Sequence, residues 1–130
     1  RLFFAFVMLV CFAVAFASEP VAEIVFDKTT HDFGTFSDKD AVVSCVFSFK
    51  NTGDVPLVIN QALASCGCTV PSYTSEPILP GKKGDIKITY NGKGRYPGHF
   101  KKIITVTSNA KTRIVRLYIE GNMTSGEEKQ

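Results

Sequence analysis

Two cysteines one residue apart are the most unusual chemical feature of this sequence. Cys66 and Cys68 flank Gly67 in the run SCGCTVP at residues 65–71, and Cys45 lies about 20 residues upstream. Thiolates at this spacing can form a disulfide, bind a soft metal ion or exchange electrons with another dithiol. Each possibility requires different surroundings, so the elements that position these cysteines decide between them.

A structural disulfide is the first interpretation, because thiols oxidise in extracytoplasmic compartments. Cys45 paired with Cys66 or with Cys68 would close a loop of about 20 residues and contribute about 3 kcal/mol. A bridge between Cys66 and Cys68 requires a kink at Gly67, since residues two apart in a strand lie near the upper Cα separation for a disulfide. Three cysteines cannot all pair within one chain. The sequence favours a disulfide and leaves its pairing open.

Metal binding and redox chemistry are the alternatives. Two thiolates one residue apart suit Cu(I), so Cys66 and Cys68 are candidate copper ligands. Zinc would need about four ligands, and both histidines lie far from the pair in sequence. A redox-active thiolate needs a helix N-terminus or a nearby cation, and the nearest cations in sequence, Lys82 and Lys83, belong to another turn. Redox chemistry therefore ranks last of the three.

The other polar residues do not suggest a catalytic set. His31 and His99 fit solvated surface positions, and Asp38 and Asp40 fit a solvated turn. The glycine-rich run 91–95 is superficially similar to a phosphate-binding loop, but no helix is predicted after it, so we predict a hairpin connection. We expect a protein that is not an enzyme and that has no cofactor.

Alternating side chains define the elements that carry these residues. After residue 23 apolar and polar residues alternate with period two between short turns, which is typical of a β-sandwich or barrel. We predict an all-β, immunoglobulin-like sandwich of about seven strands, without that fold's usual tryptophan and inter-sheet disulfide. In a strand at residues 55–64 we expect Leu57, Ile59 and Leu63 to face one way. The other predicted strands lie within 23–36 and at 41–50, 85–91, 100–108 and 115–119.

The N-terminal residues predict export. Arg1 precedes an apolar run at residues 2–16, and an A-x-A site ends at Ala17, as in a secretory signal peptide. The run is too short for a membrane span. Cys11 follows Val10 rather than a small residue, which disfavours lipid attachment there without eliminating it. We predict a signal peptide at 1–17, one sandwich domain at 18–122 and a disordered tail at 123–130.

Charge narrows the choice of partner. Without Arg1, 14 basic residues stand against 12 acidic ones, a net charge of about +2, with no basic stripe for phosphates. We expect no nucleic-acid partner and no membrane span in the mature chain.

Several motifs together resemble a known family. They include FSFKNTG at 47–53, PLVI at 56–59, ASCGCTVP at 64–71, ILPG at 78–81, GHFKK at 98–102 and VTSN at 106–109. The pattern, over residues 26–121, resembles the exported proteins grouped as "domain of unknown function 1573". This resemblance implies a small secreted or periplasmic protein typical of Bacteroidetes, with a periplasmic-chaperone-like sandwich. It implies no biochemical activity.

The expected function is that of a binding or structural module of the periplasm, cell surface or extracellular space. An unpaired edge of an open sandwich can accept a strand from a partner by main-chain hydrogen bonding. The expected partner is a protein or another cell-envelope component.

Overall fold

The computed structural model describes residues 19–126, which form two four-stranded sheets. One sheet has the order β1-β3-β6-β5 and the other β2-β8-β7-β4. No helix within residues 19–126 is long and apolar enough to cross a membrane. The strands are β1 (Ile24–Phe26), β2 (Thr30–Ser37), β3 (Val42–Asn51), β4 (Ile59–Ala64), β5 (Thr69–Tyr73), β6 (Lys83–Asn91), β7 (Gly98–Ser108) and β8 (Ile114–Thr124).

Alternation along the strands builds the core between the sheets. Phe47 and Ile86 from one sheet, and Ile104 and Leu117 from the other, have no exposed surface. Each such side chain stabilises the fold by about 1.5–3 kcal/mol relative to an exposed position. The predicted all-β, immunoglobulin-like sandwich is confirmed.

The eight strands within residues 19–126 agree with the predicted number of about seven, and residues 69–73 form the additional strand, β5. One detail of the predicted strands is wrong. In β4 the register with β7 shifts between Ile59 and Gln61. This irregularity breaks the period of two, so Ala62 is buried, and Leu63, which was expected to share a face with Ile59, is 55% exposed.

The C-terminal boundary also differs. Strand β8 continues to Thr124, and Met123 is only 2% exposed. The ordered sandwich therefore extends two residues beyond the predicted end at residue 122. The predicted signal peptide lies outside the described residues, as do residues 127–130 of the predicted tail.

A buried amide joins three segments at one end of the sandwich. Asn51 has no exposed surface, and its Nδ2 donates to the carbonyls of Val55 and Ile78 at 2.8 and 2.9 Å. Its Oδ1 accepts from the backbone N–H of Gly53 at 2.9 Å and of Glu23 at 3.3 Å. All hydrogen-bonding positions of the amide are used, as burial of a polar group requires.

Candidate functional site

The cysteine pair lies where the chain crosses from one sheet to the other. Just after β4, the backbone N–H of Ser65 donates to the carbonyl of Ile103 in β7 at 3.2 Å. The N–H of Thr69 then donates to the Cys66 carbonyl at 3.1 Å and closes a tight turn. The Cys68 carbonyl accepts from Asn91 in β6 at 2.7 Å. We call residues 65–68 the elbow.

A disulfide joins the two cysteines of the elbow. Their Cα atoms are 5.2 Å apart, within the usual range for a disulfide. The chain turns at Gly67, whose position has no neighbouring atom within 4 Å of an added Cβ. Among the pairings that the sequence left open, the structure therefore contains the one between Cys66 and Cys68.

Cys45 is free and buried on the inner face of β3. Burial raises the pKa of the Cys45 thiol to about 11, against a smaller opposing effect of Lys28. This cysteine therefore remains a protonated, apolar core residue at neutral pH.

The two sulfurs of the disulfide have different surroundings. Cys68 is 8% exposed, whereas Cys66 is half-buried. The guanidinium of Arg95 lies against the more accessible sulfur, with 2.9 Å between Arg95 Nη2 and Cys66 Sγ. The sequence argument against a redox role, that no cation is near, was therefore wrong. Arg95 is 29 residues from Cys66 in sequence, and only the fold brings the two together.

The connection that carries Arg95 is not the predicted hairpin. It joins β6 and β7, which belong to different sheets. Gly94 has φ of +74°, a conformation that favours glycine, and the N–H of Arg95 donates to the Gly92 carbonyl at 3.0 Å. This turn directs Arg95 toward the elbow.

An open groove of about 540 Å³ lies beside Arg95. Its floor contains the rings of Tyr90 and Phe100, which stack with centroids 4.0 Å apart. Lys102 and the almost fully exposed Tyr96 complete its walls together with Arg95. The groove therefore combines aromatic surface with two cationic side chains.

The structure does not assemble a metal-binding cluster in the part of the chain that it describes. Within residues 19–126 no three His, Cys, Asp or Glu side chains form a group that could hold an ion. The Nδ1 of His31 lies 2.7 Å from Lys28 Nζ, and His99 lies 3.9 Å from Glu120. Copper binding by Cys66 and Cys68 stays a prediction that concerns the reduced protein.

A second feature is an unpaired edge along the first half of β3. Strand β1 pairs only with Phe49, Lys50 and Asn51. On the other side β6 pairs with β3 from Val42 to Lys50. Residues 42–47 therefore have a neighbouring strand on one side only, and we call this stretch the open edge.

The hydrogen-bond pattern shows which groups the open edge presents. Ala41 and Asn51 bond to the β6 side, whereas the Ser48 carbonyl accepts from Asp27 on the β1 side. Because bonding direction alternates along a strand, Val42, Ser44 and Val46 direct their N–H and C=O groups away from β6. Within residues 19–126 no group bonds to these backbone atoms. Val42 and Val46 are 47% and 46% exposed.

The other sheet edges have features that discourage pairing. Strand β1 has only three residues, and β2 has an irregular register around Gly34, whose φ is +71°. Strand β5 contains Pro71, which has no N–H. The N–H of Thr69 points away from β6, and residues two apart in a strand point their N–H groups the same way. Pro71 therefore removes a donor from the side of β5 that has no neighbouring strand. Strand β4 lies against β5, where Tyr73 donates to the Asn60 carbonyl at 3.4 Å. Bulges, prolines and covered edges prevent unwanted strand addition.

Solved structures with the same fold come from proteins of different kinds. A protein of unknown function from Porphyromonas gingivalis W83 aligns with a TM-score of 0.69 and 14% identity, over 85% of this chain and 50% of that one. The chain thus spans half the length of that protein. The ASH/PapD-like domain 7 of human CEP192 aligns with a TM-score of 0.65 and 12% identity, over 87% and 93% of the two chains.

A bacterial chaperone shares the same architecture. The CupB2 chaperone of Pseudomonas aeruginosa aligns with a TM-score of 0.52 and 12% identity, over 81% of this chain and 57% of that one. Identities this low show the shared fold alone. No curated protein matches the sequence significantly.

The family comparison agrees with the motifs found in the sequence. The match covers residues 24–123, which include β1 to β7, β8 except its last residue, the elbow and the open edge. The chain belongs to the family described as protein of unknown function (DUF1573).

Proposed function

We propose that the protein is an exported, non-enzymatic binding module that holds an extended segment of a partner protein along the open edge of β3. The observation that carries the proposal is the unpaired backbone of Val42, Ser44 and Val46. The other described sheet edges are short, irregular, interrupted by proline or covered by another strand. A partner strand there would continue the sheet beyond the end of β1. Strand addition of this kind supplies affinity through main-chain hydrogen bonds.

The energetics are sufficient for a specific but reversible complex. Three residues offer three donors and three acceptors, and each hydrogen bond contributes about 1 kcal/mol net. The exposed valines add cross-strand contacts of about 0.2–1 kcal/mol each. The gross gain of about 6–8 kcal/mol is reduced by the entropy of ordering the partner segment.

The residues of the open edge indicate the chemistry of the partner. Residues 42–47 (VVSCVF) contain no charge and no proline, and the outward positions carry two valines and a serine. A segment with uncharged β-branched or small residues fits this surface. Next to Val46 on β6 is Lys87, its register partner, so an acidic residue at that end of the segment would be favoured.

Export is part of the proposal and is supported by the sequence. The apolar run at residues 2–16 and the A-x-A site ending at Ala17 favour cleavage and release into an extracytoplasmic compartment. N-terminal sequencing of protein recovered from the cell envelope or medium should begin at Ser18. Recovery only from the cytoplasm, with residues 1–17 attached, would contradict export.

Photo-crosslinking in the natural host tests the binding surface. A photoreactive residue replaces Val46 at the open edge or, as a matched control, Val70, which is similarly exposed on the same sheet at the edge blocked by Pro71. We expect a discrete crosslinked protein from position 46 and none from position 70. Glycan adducts, or equal crosslinking from both positions, would contradict the proposal.

A pair of substitutions at Ser44 separates the backbone from the side chain. Both Ser44→Pro and Ser44→Ala remove the 3.1 Å contact between Ser44 Oγ and Thr89 Oγ1. Only the proline removes the free N–H, and it breaks no bond to β6 because that N–H points away from β6. Ser44→Pro should abolish crosslinking from position 46, and Ser44→Ala should preserve it. Equal effects of both variants would refute main-chain capture.

A further inference from the structure

We infer that the Cys66–Cys68 disulfide is a thiol–disulfide exchange site, at which Cys66 reacts with a cysteine of a partner and Cys68 resolves the mixed disulfide. This inference goes beyond strand capture and depends on residues at the opposite edge of the sandwich. Three independent features carry it: the contact between Arg95 and Cys66, the unequal burial of the two sulfurs, and the open approach over Gly67.

The contact with Arg95 selects Cys66 as the reactive sulfur. A guanidinium 2.9 Å from Cys66 Sγ stabilises the thiolate of Cys66 in the reduced protein and when Cys66 is released from the mixed disulfide, as cations beside reactive cysteines do. The backbone N–H of Cys68 lies 3.2 Å from the same sulfur and adds a second donor. Cys68 Sγ is instead 3.7 Å from the hydroxyl of Thr69 and has no described cation beside it.

Accessibility points to the same sulfur. Cys66 is half-buried and Cys68 is buried, so an incoming thiolate reaches Cys66 first. An added Cβ at Gly67 would meet no atom within 4 Å, and therefore no described side chain covers the elbow at that residue. This arrangement, with an accessible attacking cysteine and a buried resolving one, is what an exchange reaction needs.

The exchange balances without any further reactant. A thiolate of a partner dithiol attacks Cys66 Sγ, the bond between the two protein sulfurs breaks, and its electron pair leaves on Cys68 Sγ. The second thiolate of the partner attacks its own sulfur in the mixed disulfide and releases Cys66 as a thiolate beside Arg95. The partner loses two protons and two electrons and becomes a disulfide, and the protein gains them as two thiols. The reverse sequence reduces a partner disulfide.

The groove beside Arg95 suggests which thiols react best. Arg95 and Lys102 line it together with aromatic rings. The positive charges of these two side chains would attract a partner cysteine that has acidic neighbours. Two small thiols, the anionic mercaptoacetate and the cationic cysteamine, serve as probes. The rate at which each thiol reduces the protein is divided by the rate at which the same thiol reduces hydroxyethyl disulfide, a neutral reference. The normalised rate should be severalfold higher for mercaptoacetate. Added salt should remove the preference.

The first test compares two single-charge variants of the same connection. Fully reduced protein is treated with iodoacetamide at pH 7, and alkylation of each cysteine is followed by peptide mass. Arg95→Gln should slow alkylation of Cys66 about tenfold, whereas Lys93→Gln, which removes an exposed charge two residues away, should leave the rate within about twofold. Equal rates in the two variants would overturn the role of Arg95.

The second test traps the mixed disulfide. Cys68→Ser protein incubated with oxidised glutathione should accumulate a glutathione adduct on Cys66, because no resolving thiol remains. Cys66→Ser protein should accumulate at least tenfold less adduct on the buried Cys68. Equal adducts in both variants, or none in either, would overturn the proposal. Crosslinking from position 46 is unaffected by either result, so the failure of exchange and the failure of strand capture are distinguishable.

Discussion

Complete reduction of the disulfide should destabilise the protein only slightly. The bridge closes a ring that spans three residues, Cys66 to Cys68. In the chain-entropy model the loss of unfolded-state entropy for three residues corresponds to about 1.6 kcal/mol at 25 °C. A bridge from Cys45 would have contributed about twice as much. The small value follows from the shortness of the ring and does not depend on the rest of the fold.

Urea unfolding measures this difference directly. Wild-type protein is unfolded with and without an excess of phosphine reductant, and the two unfolding free energies are compared. For a domain of this size, 1.6 kcal/mol corresponds to a decrease in Tm of about 6–13 °C. The Cys66→Ser/Cys68→Ser variant is the control, since reductant should not change its stability.

Two results would refute the reasoning about the elbow. A loss of unfolding free energy above about 4 kcal/mol would mean that the elbow does not keep its conformation without the disulfide. The role of the bond would then be mainly structural. A loss near zero, with reduction verified by mass, would mean that the ring does not restrict the unfolded chain. The expected small loss leaves the reduced protein folded and able to react.

Three further predictions concern the rest of the sandwich. Asn51→Ala should lower the unfolding free energy by about 4 kcal/mol, because four hydrogen bonds are lost. Asn109→Ala, the control, loses two hydrogen bonds at an exposed site and should lower the unfolding free energy by at most about 2 kcal/mol. Equal losses of unfolding free energy in the two variants, measured by urea unfolding, would contradict the role of the buried amide. Gly53→Ala should destabilise by about 1–3 kcal/mol, because the new Cβ would overlap the carbonyl oxygen of Val21; an unchanged urea midpoint would disprove this clash. Because burial raises the pKa of Cys45 from 9.0 to about 11, its contribution to stability is complete below pH 9 and is lost as the pH rises toward 11. The stability difference between wild type and Cys45→Ala should therefore shrink over that range, and a constant difference would show that Cys45 is not protonated selectively in the folded state.

Local patterns were sufficient to predict the architecture. Alternation in β3, β6 and β8 identifies inward residues such as Phe47, Ile88 and Leu117, all of which are buried. The irregularity in β4 escaped this reasoning, because a one-residue shift reverses the faces without changing the composition of the strand. This is why Leu63 is exposed although the alternation placed it on the same face as the buried Ile59.

The sites depend on contacts between distant residues. Arg95 approaches Cys66 because the β6–β7 connection crosses between the sheets near the elbow, and neither cysteine spacing nor local charge indicates such a crossing. The open edge exists because β1 ends at Phe26 and the chain then continues into the other sheet as β2. The uncharged run at residues 42–47 was visible in the sequence, but whether its backbone had one neighbour or two was not.

Amide hydrogen exchange of the purified protein tests the open edge most directly. The account predicts that the amides of Val42, Ser44 and Val46 exchange rapidly, because no strand accepts from them. The amides of Val43, Cys45 and Phe47, which bond to β6, should be strongly protected. Such alternation within six residues requires an unpaired edge. Uniform protection of all six amides would show that this side of β3 is already paired, and the proposed binding surface would then be wrong.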